Sequence, residues 1–538
     1  MSTDRDDNND GTDSTDSTDS NGRALLQIIE DARTAVLDEG RPEAVERQHK
    51  HGKYTARERI AKISDTDSFM EAGSLVEPIR DTGFNEGLVA PADGVITGSA
   101  LIDNRPVRIL SHDYTVLGGS TGKHGSAKAN RSIKLAAEHG QPLVALLEGG
   151  GHRIQDGQDS RHFAGAGPVF QLLARNSGWV PMAMAMLGQG FAGPTNYTAL
   201  ADFVVMVRGG STMGMAGPAL VKAGLGEDIS KEDLGGAAKQ ADRYGLADLA
   251  VATEDEAMAA VRRFLSYLPS NAREPLPIVP TDDPVNRTEE DLLDIIPASP
   301  RKYYDVRKII ELIADKGSVF EKKPTYARNM VTSFARLNGR PVGFFANQSR
   351  HLAGMLDVKA CEKASHFIAL CDAYGLPLIS LIDVPGFAIG SEAEKSGLGR
   401  RSGRLMFELG QARVPFVSIV LRKGYGGGYY AMGGGQAFEA DGAFAWPTAE
   451  ICAMSVEGSV DVAYRRDYEN AEDPAARRQE LIDIFKSQLG ARRAAEGFGI
   501  DEVIDPRQTR AVLCNTFDRC PARRPDKHPP RIRPISPI

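Results

Sequence analysis

The chain of 538 residues repeats itself, and this repeat limits the possible folds more than any other feature of the sequence. Residues 104–120 read NRPVRILSHDYTVLGGS and residues 339–355 read GRPVGFFANQSRHLAGM. An offset of 235 residues relates three further pairs, which are Gly119 and Gly354, Lys128 and Lys363, and Pro142 and Pro377. Chance identities do not keep a fixed offset over about forty residues, so we predict two copies of one folding unit.

Each copy has the same order of predicted elements. A strand, a glycine-containing loop and a helix lead to an apolar strand that ends in glycine-rich sequence. A second helix and a further strand then run into a second glycine-rich loop. Alternating strands and helices indicate an α/β fold, and apolar strands such as LVALL and LISLI suit a sheet covered on both faces. Ligands of such folds collect at the carboxyl ends of strands, where these glycine loops lie.

Composition divides the chain into four segments. Residues 1–22 carry seven Asp, one Arg and almost no apolar residues, which predicts a disordered acidic tail. Residues 271–297 contain five prolines and several acidic residues, as linkers do, and we place the linker at residues 281–297. We therefore expect an N-terminal domain over residues 23–280 and a C-terminal domain over residues 298–538.

Charge, cysteine usage and hydropathy exclude several classes of protein. The net charge of −8 argues against a nucleic-acid groove. Five cysteines without a CxxC motif argue against a zinc ribbon or a thioredoxin-type site, and we expect no metal in this chain. No apolar run approaches eighteen residues, so we predict no membrane span, and the odd cysteine count suits a cytoplasmic protein.

The stretch RKGYGGGYYAMGGG, residues 422–435, contains seven glycines in fourteen residues. It is no phosphate loop, because Lys423 precedes the glycines, and LGGSTGKHG lacks the required residues at Leu117 and His124. A flexible linker would be polar and rich in serine. A glycine run between a strand and a helix leaves backbone N–H groups free to face a ligand, which predicts an oxyanion hole. The equivalent loop LGQGFAGPTNY, residues 187–197, predicts a second one.

Two oxyanion holes suit a reaction in which two reactants each develop an anionic oxygen. Carboxyl transfer from carboxybiotin to an acyl-CoA thioester is such a reaction, because the ureido oxygen and the thioester oxygen both become anionic. The released biotin can itself take the α-proton, so no side-chain base is mandatory. Neither glycine loop contains a Ser, Cys or His nucleophile, which agrees with this chemistry.

The segments SHDYTVLGGSTGKH, GGGHRIQDG, YARNMVTSFARLNGRPVG and RKGYGGGYY carry a family resemblance. From about Ala56 to Arg510 the chain resembles the carboxyltransferase β subunits of biotin-dependent acyl-CoA carboxylases, such as propionyl-CoA carboxylase. The resemblance implies a tandem pair of crotonase-like domains built from β-β-α superhelical turns. By the same resemblance, the first domain binds acyl-CoA and the second binds biotin.

The resemblance also implies which residues form the site. The N–H groups of Ala192 and Gly193 form the hole on the acyl-CoA side, and those of Gly427 and Gly428 form the hole on the biotin side. The residues implied to contact the cofactors are Gly150, Gly151, Arg153 and Tyr429. Tyr430 occupies a position linked to acyl-chain selectivity, where the family has Asp or a small aliphatic residue.

Several of these positions have alternatives or depart from the family. Ala192 stands where the family usually has glycine, so a positive φ there would be strained. His152 replaces a small residue and either touches the CoA or packs at a turn. Arg153 could instead form a structural salt bridge. We expect Asp357 and Asp383 to act as hydrogen-bond acceptors that hold loops rather than as bases.

Missing segments predict partners. The chain has no biotin-acceptor MKM tripeptide, and its two repeats leave no room for a biotin carboxylase region. We therefore expect biotin to be carried by a partner, a biotin carboxylase or biotin carboxyl carrier subunit. The resemblance implies a hexamer built from dimers, with each site between two subunits, in fatty acid metabolism. The alternatives are a biotin-dependent acyl-CoA decarboxylase subunit, a crotonase-type hydratase and a non-catalytic scaffold.

Overall fold

The computed structural model describes residues 16–81, 85–165, 167–300, 302–524 and 533–536. We call the chain before residue 281 the first half and the chain after residue 297 the second half. The strands of the first half are β1 (Met70–Ala72), β2 (Val95–Ile102), β3 (Arg105–His112), β4 (Leu143–Leu147), β5 (Met182–Met186), β6 (Gln189–Phe191), β7 (Phe203–Val207), β8 (Thr212–Gly214) and β9 (Leu249–Val251). Those of the second half are β10 (Phe320–Lys322), β11 (Met330–Leu337), β12 (Arg340–Asn347), β13 (Leu378–Val384), β14 (Phe416–Tyr425), β15 (Gly442–Ala445), β16 (Glu450–Cys452) and β17 (Glu502–Val503).

Helices cover both sheets. The helices of the first half are α1 (Asp16–Val36), α2 (Pro42–Lys50), α3 (Ala56–Ile63), α4 (Lys123–His139), α5 (Ile154–Gly157), α6 (Ser160–Phe163), α7 (Val169–Asn176), α8 (Gly193–Ala199), α9 (Pro218–Leu225), α10 (Lys231–Gly235), α11 (Ala237–Lys239) and α12 (Glu254–Ser266). The helices that follow are α13 (Asp291–Asp294), α14 (Val306–Ile313), α15 (Val358–Tyr374), α16 (Ser391–Lys395), α17 (Leu398–Gln411), α18 (Gly426–Ala431), α19 (Val456–Ala463), α20 (Arg465–Glu469), α21 (Pro474–Lys486), α22 (Ala491–Glu496) and α23 (Thr509–Arg519).

The predicted duplication is confirmed down to the pairing of residues. The β2–β3 hairpin pairs Val95 with His112, and the β11–β12 hairpin pairs Met330 with Asn347, so both partners move by 235 residues. Helices α4 and α15 begin and end at the same offset. Each copy therefore folds its hairpin, helix and following strand in the same way.

The two main sheets follow one topology. The first has the strand order β1-β2-β3-β4-β5-β7-β9, and the second has the order β10-β11-β12-β13-β14-β15-β17. Beyond each hairpin the strands run parallel. Every residue of β4, β5, β13 and β14 is buried, as expected of parallel strands covered on both faces. The carboxyl ends of these central strands carry the glycine-rich loops.

The two halves share a common core. Phe203 and Phe264 of the first half stack with a centroid distance of 4.7 Å, and Phe334 of the second half packs against Phe264 at 5.9 Å. The buried Lys322 ammonium donates to the Asp248 carboxylate at 2.5 Å and to the Asp202 carbonyl at 2.7 Å. Aromatic packing and a buried ion pair thus tie the second half to the first.

The structure places only part of the predicted tail but describes the whole predicted linker. Residues 1–15 of the predicted acidic tail lie outside the described residues, whereas residues 16–22 belong to α1 because the helix begins earlier than composition indicates. The predicted linker, residues 281–297, lies along the second half, where the buried Arg510 guanidinium donates to the Asp283 and Pro284 carbonyls. In the described part of the chain, no helix is both long and apolar enough to cross a membrane.

Candidate active site

Two loops face each other at the carboxyl ends of the central strands in each half. We call residues 191–194 and 425–428 the donor loops, and residues 149–153 and 384–388 the facing loops. The facing loops are held alike: Thr121 N–H donates to the Gly151 carbonyl at 2.9 Å, and Leu356 N–H donates to the Gly386 carbonyl at 3.1 Å. The 235-residue offset therefore continues through the facing loops.

In the first donor loop only one residue of the predicted pair presents a free N–H. Ala192 N–H donates to the Gly214 carbonyl at 2.9 Å, because β6 pairs with β8 up to this point. Gly193 is the first residue of α8, and its N–H has no acceptor within the described ranges. The position of a Cβ on Gly151 would lie 3.6 Å from Gly193 N, so the facing loop borders this donor.

Ala192 also shows the strain expected from its replacement of glycine. Its φ is +61°, a left-handed conformation that Ala rarely adopts and that costs on the order of 1 kcal/mol. At an offset of 234 the second half has Gly426, whose φ is +58°. The structural partner of Ala192 is therefore Gly426, and that of Gly193 is Gly427.

The second donor loop presents two adjacent N–H groups. Gly427 and Gly428 lie in the first turn of α18, and neither N–H donates to an acceptor in the part of the chain that the structure describes. A Cβ on Gly428 would approach Gly386 of the facing loop at 3.0 Å. The absence of side chains therefore lets the two loops of this half meet closely.

Three of the other five glycines in residues 422–435 make room for one buried ring. A Cβ on Gly424, Gly434 or Gly435 would overlap or crowd the Tyr429 side chain, which is 8 % exposed. Burial raises the pKa of the Tyr429 hydroxyl to about 12. Tyr429 is therefore largely buried beneath the loop, but it also lines the cleft beside Tyr430, and its predicted contact with a cofactor stays a prediction.

Tyr430 is exposed where Tyr429 is buried. Its side chain is 57 % exposed and its ring lies 5.4 Å from that of Tyr429. It lines an open cleft of about 780 Å³ beside the second donor loop, together with Ile451, Ala437 and Phe498. A large aromatic side chain therefore stands at the border of the candidate site.

The predicted residues of the first facing loop separate into two groups. Gly150 and Gly151 lie in the loop itself, and Gly151 adopts a φ of +88°. The Arg153 guanidinium is turned away from the loop surface, is 1 % exposed and pairs with Asp93 at 2.5 Å. Arg153 thus forms a structural salt bridge, the second of its two interpretations. Its guanidinium is shielded from any ligand in this conformation. His152 packs edge-on against Phe163 at 5.8 Å.

Each half also buries a carboxylate at the carboxyl end of a central strand, Glu148 just after β4 and Asp383 within the last two residues of β13. Glu148 accepts from the Lys53 ammonium at 2.5 Å and lies 2.6 Å from the Arg59 guanidinium. Asp383, at the 235-residue offset, pairs with Arg422 at 2.9 Å and accepts from Lys423 N–H at 3.1 Å. Both carboxylates are committed to cations and N–H groups, so neither is a free general base.

Asp357 behaves as expected of a loop-holding acceptor. Its side chain accepts from Ala360 N–H at 2.9 Å in the first turn of α15, and from the Asn329 amide at 3.1 Å.

The sequence analysis did not identify two residues that border the loops, Gly386 and Asp93. The repeat offset from Gly151 would have indicated Gly386, whereas no pattern connects Asp93 to Arg153. Within the described ranges, no group of three or more His, Cys, Asp or Glu side chains could hold a metal ion.

Comparisons with known proteins agree with this architecture. The family model described as the carboxyl transferase domain matches residues 47–534. The chain is 38 % identical to the propionyl-CoA carboxylase carboxyltransferase subunit of Haloferax mediterranei, over 93 % of this chain and 97 % of that protein. It is 36 % identical to the methylmalonyl-CoA decarboxylase subunit alpha of Veillonella parvula, over 94 % and 97 % of the two chains.

A solved structure of transcarboxylase 12S, described as a hexamer with methylmalonyl-coenzyme A and methylmalonic acid bound, is similar throughout. Its TM-score is 0.87 at 36 % identity, over 98 % of this chain and 100 % of that one. This likeness confirms the predicted α/β fold with two crotonase-like units.

Proposed function

Because the chain belongs to the carboxyl transferase family, we propose that it transfers a carboxyl group between carboxybiotin and the α-carbon of an acyl-CoA. The observation that carries the proposal is the duplicated pair of donor loops, each with an unpaired N–H at the start of a helix. Backbone donors of this kind stabilise an oxyanion in a water-poor site by about 3 kcal/mol each. Two such sites match two reactants that each develop an anionic oxygen.

The two halves would perform separate tasks. Gly193 N–H, with the backbone of Gly151 beside it, would donate to the thioester oxygen as the α-carbon loses its proton. Gly427 and Gly428 N–H would donate to the ureido oxygen of biotin. Carboxybiotin, when bound, would supply the carboxyl group, and the biotin anion left by its departure would accept the α-proton. Because neither donor loop carries a carboxylate, imidazole, amine or thiol, this chain's contribution is to bind, to orient and to stabilise charge.

The buried carboxylates weigh against a hydratase. That activity needs a free acid–base pair near the oxyanion loop, and Glu148 and Asp383 are both neutralised by cations. A non-catalytic scaffold would have no reason to keep an unpaired N–H in both donor loops. A decarboxylase subunit would use the same groups in the reverse direction, and one relative carries that name.

The site would need two copies of the chain. Among the described residues, no hydrogen bond, ion pair or ring contact joins the first donor loop to the second one of the same chain. We therefore propose that the first half of one subunit meets the second half of its partner, within a homo-hexamer like that named for transcarboxylase 12S. Biotin would arrive on a carrier subunit, after a cytoplasmic biotin carboxylase has carboxylated it.

The proposed function predicts a reaction that the purified chain performs without its partners. Incubation with methylmalonyl-CoA or malonyl-CoA and free biotin should produce carboxybiotin and the decarboxylated acyl-CoA in a one-to-one ratio. Chromatography of the CoA esters and trapping of ¹⁴C from the labelled carboxyl group measure the two products. A chain that binds the CoA esters but forms no carboxybiotin at any biotin concentration would support the scaffold instead.

We predict that the Tyr430 side chain influences which acyl-CoA the enzyme prefers. Because its exposed ring stands beside the second donor loop, Tyr430→Ile should change the ratio of kcat/KM between two acyl-chain lengths by about ten-fold or more. The measurement is kcat/KM for acetyl-, propionyl-, butyryl- and longer acyl-CoA substrates, with Tyr430→Asp as a second variant. Tyr244→Ile, which alters a tyrosine of the first half that is 55 % exposed, is the control. Ratios of kcat/KM that stay within about two-fold of wild type in both Tyr430 variants would exclude this role.

A further inference from the structure

The first half contains a buried ion pair that its copy lacks. Arg153 Nη1 lies 2.5 Å from Asp93 Oδ1, and Arg153 Nη2 donates to the Ser120 carbonyl at 3.2 Å. Asp93 is fully buried and Arg153 is 1 % exposed. At the 235-residue offset the second half has Arg328 and Ala388, which cannot form this pair.

Asp93 has a second task at the start of α4. Its Oδ2 accepts from Gly125 N–H at 2.7 Å, in the position of a helix cap. The residue before α4 is Gly122, and a Cβ there would overlap Asp93. One carboxylate therefore binds both the first turn of α4 and the side chain of Arg153.

The second half shows that capping alone needs no such arrangement. Helix α15 is capped by its own N-cap residue, Asp357, which binds Ala360 N–H, the equivalent of Gly125 N–H. The first half has glycine at this cap position and uses an aspartate 29 positions earlier in its place (residue 93 against residue 122). The arrangement gains only one contact that the local cap could not make, the ion pair with Arg153.

The turn that carries Asp93 is held in an unfavourable conformation. Ala92 and Asp93 have φ values of +50° and +51°, each costing on the order of 1 kcal/mol. Lys128 of α4 donates to the Ala92 carbonyl at 3.0 Å and to the Val95 carbonyl at 2.6 Å. Burial lowers the pKa of this lysine to about 8. Helix α4 thus secures the strained turn that presents Asp93.

The ion pair acts on the facing loop through a short connection. Arg153 N–H donates to the Thr121 carbonyl, and Thr121 N–H donates to the Gly151 carbonyl, both at 2.9 Å. Hydrogen bonds of its main chain and the ion pair of its side chain therefore both hold Arg153 in place. Gly151, two residues earlier, is held by the same Thr121 and lies beside Gly193. Displacement of this loop by about 1 Å can cost on the order of 100-fold in rate.

We propose that Asp93 and Arg153 are positioning residues that fix the facing loop of the first half against the Gly193 donor. This inference rests on the proposed function, because it assigns the pair to the acyl-CoA side of that site. The pair touches no reactant and acts through the backbone of Gly151. The biotin side needs no counterpart, since both of its donors lie in one helical turn.

The variants that test this proposal are conservative, and their melting temperature and oligomer size are compared with wild type because the pair is buried. Arg153→Lys retains the charge but loses the two-nitrogen fork, and Asp93→Asn retains the cap acceptor but loses the charge. Asp357→Asn, the same change at the cap of the second half, is the matched control. Both test variants should lower kcat with methylmalonyl-CoA by about 10- to 100-fold, with KM changed less than about three-fold. The control should leave kcat within about three-fold of wild type.

A second readout does not depend on activity. Hydrogen exchange of the peptide covering residues 149–157 should become at least about ten-fold faster in Arg153→Lys, while the peptide covering residues 384–390 keeps its wild-type rate. Unchanged exchange at residues 149–157 overturns the proposal. A raised KM with unchanged kcat also overturns it, because Arg153 would then contact substrate. An inactive wild type would refute the proposed function, and the exchange rates would still test the pair.

Discussion

Gly193→Pro should lower kcat for carboxyl transfer by about 100- to 1,000-fold. The substitution removes the unpaired N–H proposed to stabilise the thioester oxygen, and loss of one such donor costs about 3 kcal/mol of transition-state stabilisation. Gly193 is the first residue of α8, so proline there removes no hydrogen bond within the helix. Because a proline also restricts Ala192 before it, the rate is read only from a variant whose melting temperature matches wild type. The steady-state rate with methylmalonyl-CoA and free biotin measures the effect.

Gly193→Ala is the matched control for this prediction. A Cβ at this position would lie 3.8 Å from the Tyr197 hydroxyl, an ordinary van der Waals distance, and the N–H is retained. We expect kcat of this variant to stay within a few-fold of wild type. Equal losses in the Pro and Ala variants would mean that shape rather than the donor matters. The melting temperature and the oligomer size of both variants should match wild type.

The repeat could be predicted from sequence because each copy keeps the same turns at the same offset. Gly119 and Gly354 both adopt positive φ, 69° and 80°, and the hairpins before them pair in one register. The donor loops could be predicted for a similar reason, since glycine runs between strand and helix are rare without a function. Apolar patterns and turn residues are local, and local signals can be read from one sequence.

The details of the site depend on contacts between distant segments. Ala192 N–H is occupied because β6 pairs with β8, which contributes the Gly214 carbonyl. Arg153 is buried because Asp93 lies against it, and no spacing rule connects these residues. Tyr429 packs beneath its loop because the glycines at 424, 434 and 435 leave space that its ring fills. Such tertiary contacts decide which side of a loop a residue occupies, and one sequence does not reveal them.

The central claim is that two donor loops from two copies of the chain form one site. Gly193→Pro disables the first loop, and Gly427→Pro disables the second, since Gly427 also lies in the first turn of a helix. Each variant alone should be nearly inactive. In a dimer that contains one copy of each, one of the two sites pairs two disabled loops and the other pairs two intact loops.

Co-expression of the two variants, purification of the mixed oligomer and assay of carboxyl transfer test this claim most directly. Random assembly makes about half of the dimers mixed, and each mixed dimer has one intact site of two. We therefore predict recovery of about one quarter of the wild-type specific activity. If both loops of a site came from the same chain, no mixed oligomer would contain an intact site. Activity that stays at the level of the single variants would contradict the account.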